Sequence, residues 1–143
     1  MSKSNTFEND WLKLIFNATA MANIADNAAS SPLTSLYISL HTADPGEGGT
    51  QNTSEISYTG YARVAVARTT GGWTVTANSV SPVANIDFGQ MTAGAGGTAT
   101  FFAVGTLSSG AGIILYSGAI TPNISVVNGV IPRLTTATAI TEE

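Results

Sequence analysis

His41 is the chain's only histidine, and with Asp44 and Glu47 it makes an H-x-x-D-x-x-E spacing. Imidazole and carboxylate are metal-ligand types, and they also carry protons in acid–base catalysis. Pro45 and Gly46 break any helix that would bring the three side chains to one face. One histidine in a chain without cysteine also leaves a metal short of nitrogen and sulfur ligands. The expectation is a histidine at a strand end, hydrogen-bonded beside a turn, with no metal. The carboxylates offer no clear couple either. Asp87 lies between Ile86 and Phe88, and Glu142 and Glu143 form a tail. Glycoside hydrolysis needs two carboxyls flanking a cleft. Serine is abundant, but no G-x-S-x-G elbow occurs, and a triad would have to use His41. The glycine loops 94–97 and 105–112 lack the lysine of a phosphate-binding loop and read as turns between strands. Tyr58, Tyr61 and Trp73 have the faces for a sugar platform, although core packing in a strand also explains Trp73. These readings leave no catalytic residue, no cofactor and no metal.

Composition sets the context. The chain has 143 residues, enough for one domain that buries roughly two-thirds of its unfolded surface. Only 10% of residues are charged, against about 25% in a typical soluble domain. A surface of Ser, Thr, Asn, Gly and Ala desolvates cheaply, which suits close packing against other proteins. A secreted β-domain with a threonine-rich skin is the other reading of that composition. The formal net charge is −4, and the basic residues Lys3, Lys13, Arg63, Arg68 and Arg133 are scattered. No stripe exists to neutralise phosphates, so nucleic acid is not an expected partner. No apolar run approaches the ~20 residues of a membrane span. The first residues do not read charged, then apolar, then small, so no signal peptide is expected.

The elements follow from periodicity. Residues 1–10 read as a polar arm. Asn9 or Asp10 can cap a helix running to about Asn23, with Trp11, Leu12, Leu14, Ile15, Phe16, Ala18 and Met21 on a wide apolar face. Residues 26–35 read as a loop. From Leu36 the period becomes two: Leu36, Ile38 and Leu40 face one way, Tyr37, Ser39 and His41 the other. Asp44-Pro45-Gly46 is a turn within a polar loop over 44–54. Tyr58 to Arg68 reads as a strand with Ala62, Val64 and Val66 inward and Tyr61, Arg63, Ala65 and Ala67 outward, or the reverse. After Gly71-Gly72, Trp73, Val75 and Ala77 alternate with polar residues, and Ala84 to Phe88 reads as a further strand. Thr98–Val104 and Ile113–Ile120 carry consecutive apolar residues, as strands covered on both faces do. Asn128-Gly129 suggests a hairpin joining Ile124–Val127 to Val130-Ile131, with Pro132 marking an edge. A last strand spans 134–140. Seven to nine short strands with glycine turns predict a mainly β fold: an antiparallel β-sandwich or jelly roll with one N-terminal α-helix. The expected organisation is an arm and helix over 1–30 and a β-sandwich domain over 31–143.

The stretch LYISLHTADPGEGGTQNTSEISYTGYARVAVAR, Leu36 to Arg68, resembles a family of small tailed-phage virion proteins. The C-terminal ISVVNGVIPRLTTATAITEE is similar to that family's last segment, and the apolar N-terminal helix to its usual start. Members are often labelled tail fibre proteins. The resemblance implies a capsid decoration (cement) protein: a small jelly-roll-like homotrimer that binds the major capsid protein on the outer capsid surface of the virion. The family brings no catalytic residues. The chain would be made in the host bacterial cytoplasm, with no membrane and no nucleic acid as partner. The expected subunit-interface residues are Trp11, Leu12, Leu14, Ile15, Phe16, Tyr58, Tyr61 and Arg63. A tail fibre or baseplate component touching the host, and a carbohydrate-binding β-sandwich module, are the alternatives.

Overall fold

The computed structural model describes residues 4–21 and 32–142. Its elements are α1 (Asn5–Asn17), β1 (Ser35–His41), β2 (Val64–Ala67), β3 (Trp73–Thr76), β4 (Ser79–Pro82), β5 (Ile86–Asp87), β6 (Gly97–Gly105), β7 (Ile114–Val126), β8 (Arg133–Leu134) and β9 (Ile140–Thr141). The strands form three sheets, ordered β2-β1-β6-β7, β3-β4-β9 and β5-β8, and β1–β6, β6–β7, β3–β4, β4–β9 and β5–β8 pair antiparallel. The mainly β architecture with one helix is the class the sequence predicted. Two compact units divide the chain: Met1–Ser35, Val66–Asn85 and Thr135–Glu143 in the first, Leu36–Ala65 and Ile86–Leu134 in the second.

In the first unit, α1 starts earlier than its apolar run suggests. Ser4 takes the N-cap, and its hydroxyl accepts the Phe7 amide at 3.3 Å. The helix ends at Asn17, where Ala18 turns left-handed (φ 52°) and the Thr19 amide reaches back to the Lys13 carbonyl. The expected extension to Asn23 overruns this stop, and its last two residues, like 26–31 of the expected loop, lie outside the described residues. Leu12 and Phe16, one helical turn apart, are completely buried. Helix α1 packs on β3 and β4. There the Phe16 ring meets Trp73 edge-on at 4.7 Å, an arrangement that contributes about 0.5–1.5 kcal/mol beyond the area buried. Strand β4 has no counterpart among the strands the periodicity predicts. The turn before it is Ala77-Asn78, with Ala77 at φ 52°, and it lacks the glycine that marks such turns.

The last turn of α1 contains no basic residue to face its carbonyls. Arg68 supplies the charge from far along the chain. Its Nε donates to Ile15 O at 2.6 Å, Nη2 to Leu14 O at 2.8 Å and Nη1 to Leu33 O at 2.7 Å. A cation at a helix C-terminus answers both the unpaired carbonyls and the helix dipole.

In the second unit, β1 pairs with β6 from Tyr37↔Gly105 to His41↔Phe101, and β6 pairs in turn with β7. Leu36, Ile38 and Leu40 are buried on one face of β1, as the alternation predicted. Ser39 and His41, on the other face, are buried too. Strand β6 is buried on both faces over most of its length, but β7 is not: it alternates, and Ser117, Ala119 and Thr121 are exposed. Strand β7 also absorbs the expected Ile124–Val127 strand, running unbroken to Val126. The Asn128-Gly129 turn forms, with Gly129 at φ 89°, yet its return leg does not pair with β7. Met91 and Phe88 amides instead donate to Val130 and Pro132 carbonyls, leading into the β5–β8 pair.

The expected strand from Tyr58 to Arg68 is realised only as Val64–Ala67. A turn closes at Tyr58–Tyr61 around Gly60, whose φ is 104°. After that turn Arg63 is buried and Ala62 exposed, the reverse of the preferred inward–outward order, whereas within β2 Val64 and Val66 are half-buried and Ala65 and Ala67 exposed, as that order predicted.

Replacing Arg68 with Met leaves three carbonyls without a charged donor. We expect a loss of about 2–3 kcal/mol in urea unfolding, partly restored by Arg68→Lys, which returns the charge without the fork.

Candidate interaction surface

The buried polar side of β1 organises the second unit's loops. Strand β1 ends at His41, and segment 54–56 pairs beside that end: Thr42 N donates to Ser54 O and Ile56 N to Leu40 O. The His41 ring is completely buried. Its Nδ1 lies 2.8 Å from the Thr53 carbonyl, which only accepts, so Nδ1 carries the proton. Nε2 then accepts from the Ser39 hydroxyl at 2.9 Å. Burial lowers the His41 pKa from 6.5, opposed by the Thr53 bond and by Glu55. The imidazole is therefore a neutral strand-end group beside a turn. Asp44 and Glu47 are exposed, and the Asp44 carboxylate accepts the Gly46 amide within its own turn.

Arg63 lies at the centre of this network, its side chain 2% exposed. Its Nε and Nη2 grip the Glu55 carboxylate, each at 2.7 Å. Nη1 donates to the Leu107 carbonyl (3.0 Å), and Nη2 also lies within hydrogen-bond distance of Asn52 Oδ1 (2.9 Å) and the Gly110 carbonyl (2.8 Å). The bonds to Glu55 raise the Arg63 pKa against the opposing effect of burial. Tyr61 donates to the same carboxylate and accepts the Leu40 amide; burial first, then the Glu55 charge, push its pKa up. One guanidinium thus ties loop 52–55 to the β6–β7 hairpin at 107–110.

Gln51 makes the second tie. It is fully buried; its side-chain Oε1 accepts the Leu107 backbone amide, and its backbone N–H donates to Gly112 O. The glycines on either side allow this entry. A Cβ on Gly105 would lie 2.1 Å from Gln51 Cδ, and one on Gly112 2.0 Å from Gln51 Oε1. The hairpin tip held in this way carries exposed Leu107 and Ile113.

The residues expected at a subunit interface fall into three groups. Leu12 and Phe16 are buried within the helix's own unit, and Leu14 and Ile15 are half-buried. Trp11 is 38% exposed, and Phe7, one turn before it, stacks on it at 6.4 Å. Tyr58, Tyr61 and Arg63 direct their polar groups inward, the Tyr58 hydroxyl donating to Gly89 O. The sugar-platform reading needs an exposed Trp73 or Tyr61. Trp73 is 3% exposed beneath Phe16, and Tyr61 is held between Glu55 and β1, stacked on Phe88. Sequence reasoning assigned nothing to Gln51, Asn52, Leu107 or the Ile113 tip. The signal for Gln51 is the pair Gly105 and Gly112, which becomes legible only when both are known to face one side chain.

Among the described residues, His41, Arg63 and Arg68 are engaged in internal bonds, and Arg133 pairs with Asp87 across β5 and β8. Comparison with known families supplies the class: fibre-type structural proteins of phage virions. The family model described as Podophage GP4 fiber I protein gp80 matches residues 2–141, and the chain belongs to that family. No curated protein matches it.

Arg63→Met leaves the Glu55 carboxylate part-buried without its partner. The expected cost is about 3–5 kcal/mol in chemical denaturation, with faster proteolysis within 106–113. For His41 the sign is fixed by its lowered pKa. Between that value and 6.5 the unfolded chain binds a proton that the folded chain refuses, so stability falls as pH drops through this window. Melting temperatures followed downward from pH 7 should decline from about 6.5, and His41→Gln should flatten that decline.

Proposed function

We propose that this chain is a fibre subunit of a tailed phage, through which the particle contacts its host's surface. The observation that carries this reading is the family match across residues 2–141. The low charge of the chain supports it, since little hydration is lost on contact. Catalysis has no part in this reading. Weak single contacts add up because a particle presents several copies together.

Head decoration is the second reading, favoured by the resemblance of Leu36 to Arg68 to cement proteins. There a homotrimer binds the major capsid protein, stabilising the assembled shell by mass action. The two readings differ in place and number. Antibody labelling of purified particles, with copy number from a stained gel, separates them. The fibre reading expects label at the tail and few copies; label across the head with many copies overturns it.

In either setting we assign the outer side of α1 to attachment, through Trp11 and the Phe7 ring beside it. Phe7→Ser/Trp11→Ser should fold, since Leu12 and Phe16 keep the helix seated, and should lower incorporation into particles at least about tenfold. Wild-type incorporation would remove α1 from the account.

A further inference from the structure

We infer that copies of this chain meet through the uncharged surface made by β7 and the hairpin tip 106–113. The chain from 88 to 132 contains no Asp, Glu, Lys, Arg or His. It supplies both strands of the β6–β7 pair, and β7 is an edge of the four-stranded sheet among the described residues. Strand β7 is 13 residues long. Exposed edges are ordinarily guarded by charge, especially lysine, or by proline. Here Pro122 blunts the far half, and Leu115 to Thr121 carries neither guard. Ser117, Ala119 and Thr121 are exposed along it, and at its start Ile113 is 68% exposed, with Leu107 beside it on the tip.

The missing charge selects a second copy as the occupant. In a two-fold contact the residues near the axis meet their own copies, so charge there would face its like, and a patch free of charge suits a second copy. Each copy carries a net charge of −4, and copies repel elsewhere. A surface evolved for a charged partner would carry the complementary sign, which steers and fixes recognition. This one carries none within it. Asp44 and Glu47 border it, lining a cleft with Ile114 and Ser117. These rim carboxylates weaken contact between copies at low salt, so screening should tighten association. The hairpin is already held by Gln51 and Arg63, so little order remains to be imposed on contact.

The inference does not rest on the fibre reading, because the purified chain suffices to test it. Analytical ultracentrifugation of the full chain should show a mass that is a multiple of 14.6 kDa, with association stronger in high salt than in low. Ile113→Asp and Ala119→Asp should each weaken association at least about tenfold while leaving the circular dichroism spectrum unchanged. Thr74→Asp, exposed on β3, adds the same charge elsewhere and should leave the mass as it is. If an aspartate variant unfolds, Ile113→Ser provides the same comparison without charge. A monomer at every concentration and salt, unchanged association in the folded variants, or equal loss with Thr74→Asp overturns the inference. A monomer that instead captures another virion component through Ile113 also overturns it, since the surface would then belong to a different partner.

Discussion

The ion pair between Arg63 and Glu55 is the constraint on which the second unit's loops depend. A guanidinium removed from water needs its donors filled, and every acceptor it finds lies in a loop. The pair holds loop 52–55 against the end of β1 and holds the β6–β7 hairpin against that loop. His41 and Tyr61 then pack into the space it creates, each bonded to backbone or to Glu55. Apolar residues of the same volume would fill that space, but they would not fix two loop conformations through carbonyls. The chain concentrates scarce charge where geometry has to be unique.

Arg68 repeats this economy in the first unit. It sits at the end of a short strand and reaches the last carbonyls of α1 and that of Leu33. The helix itself contributes no cation to its last turn. Glu8 is buried on α1, and the apolar pair Leu12 and Phe16 seals the helix to β3 and β4. In both units an arginine joins segments distant in sequence, and hydrophobic burial supplies the bulk of the driving force.

The fold was legible where the signal is local. The alternation of Leu36 to Leu40 gave β1 within a residue, and Gly71-Gly72 and Asn128-Gly129 marked turns that form. What misled was local evidence overruled from a distance. Tyr58 to Arg63 has the pattern of a strand, yet the turn at Gly60 and the pull of Glu55 on Arg63 reverse the order at Ala62 and Arg63. Ser39 and His41 look like a solvent face because polar residues usually are one; here a loop covers them. The hairpin after Asn128-Gly129 fails because β7 continues through residues the sequence split in two, and Met91 takes the return leg. The candidate surface was less legible still. Leu107 and Ile113 are ordinary apolar residues in a glycine-rich hairpin, and the bonds that hold it come from Gln51 and Arg63, distant in sequence.

The interleaving of the two units bears on how the chain is made. Helix α1 leaves the ribosome first, with the apolar side of Leu12 and Phe16 exposed, and its sheet cannot begin until Trp73 to Pro82 has been translated. Strand β9, which completes that sheet by pairing Ile140 with Val80, comes later still, after the whole of the second unit. Until Pro82 has been made, that side of the helix lacks the strands that cover it. The first unit's sheet is therefore completed only after the residues of the second unit have been made.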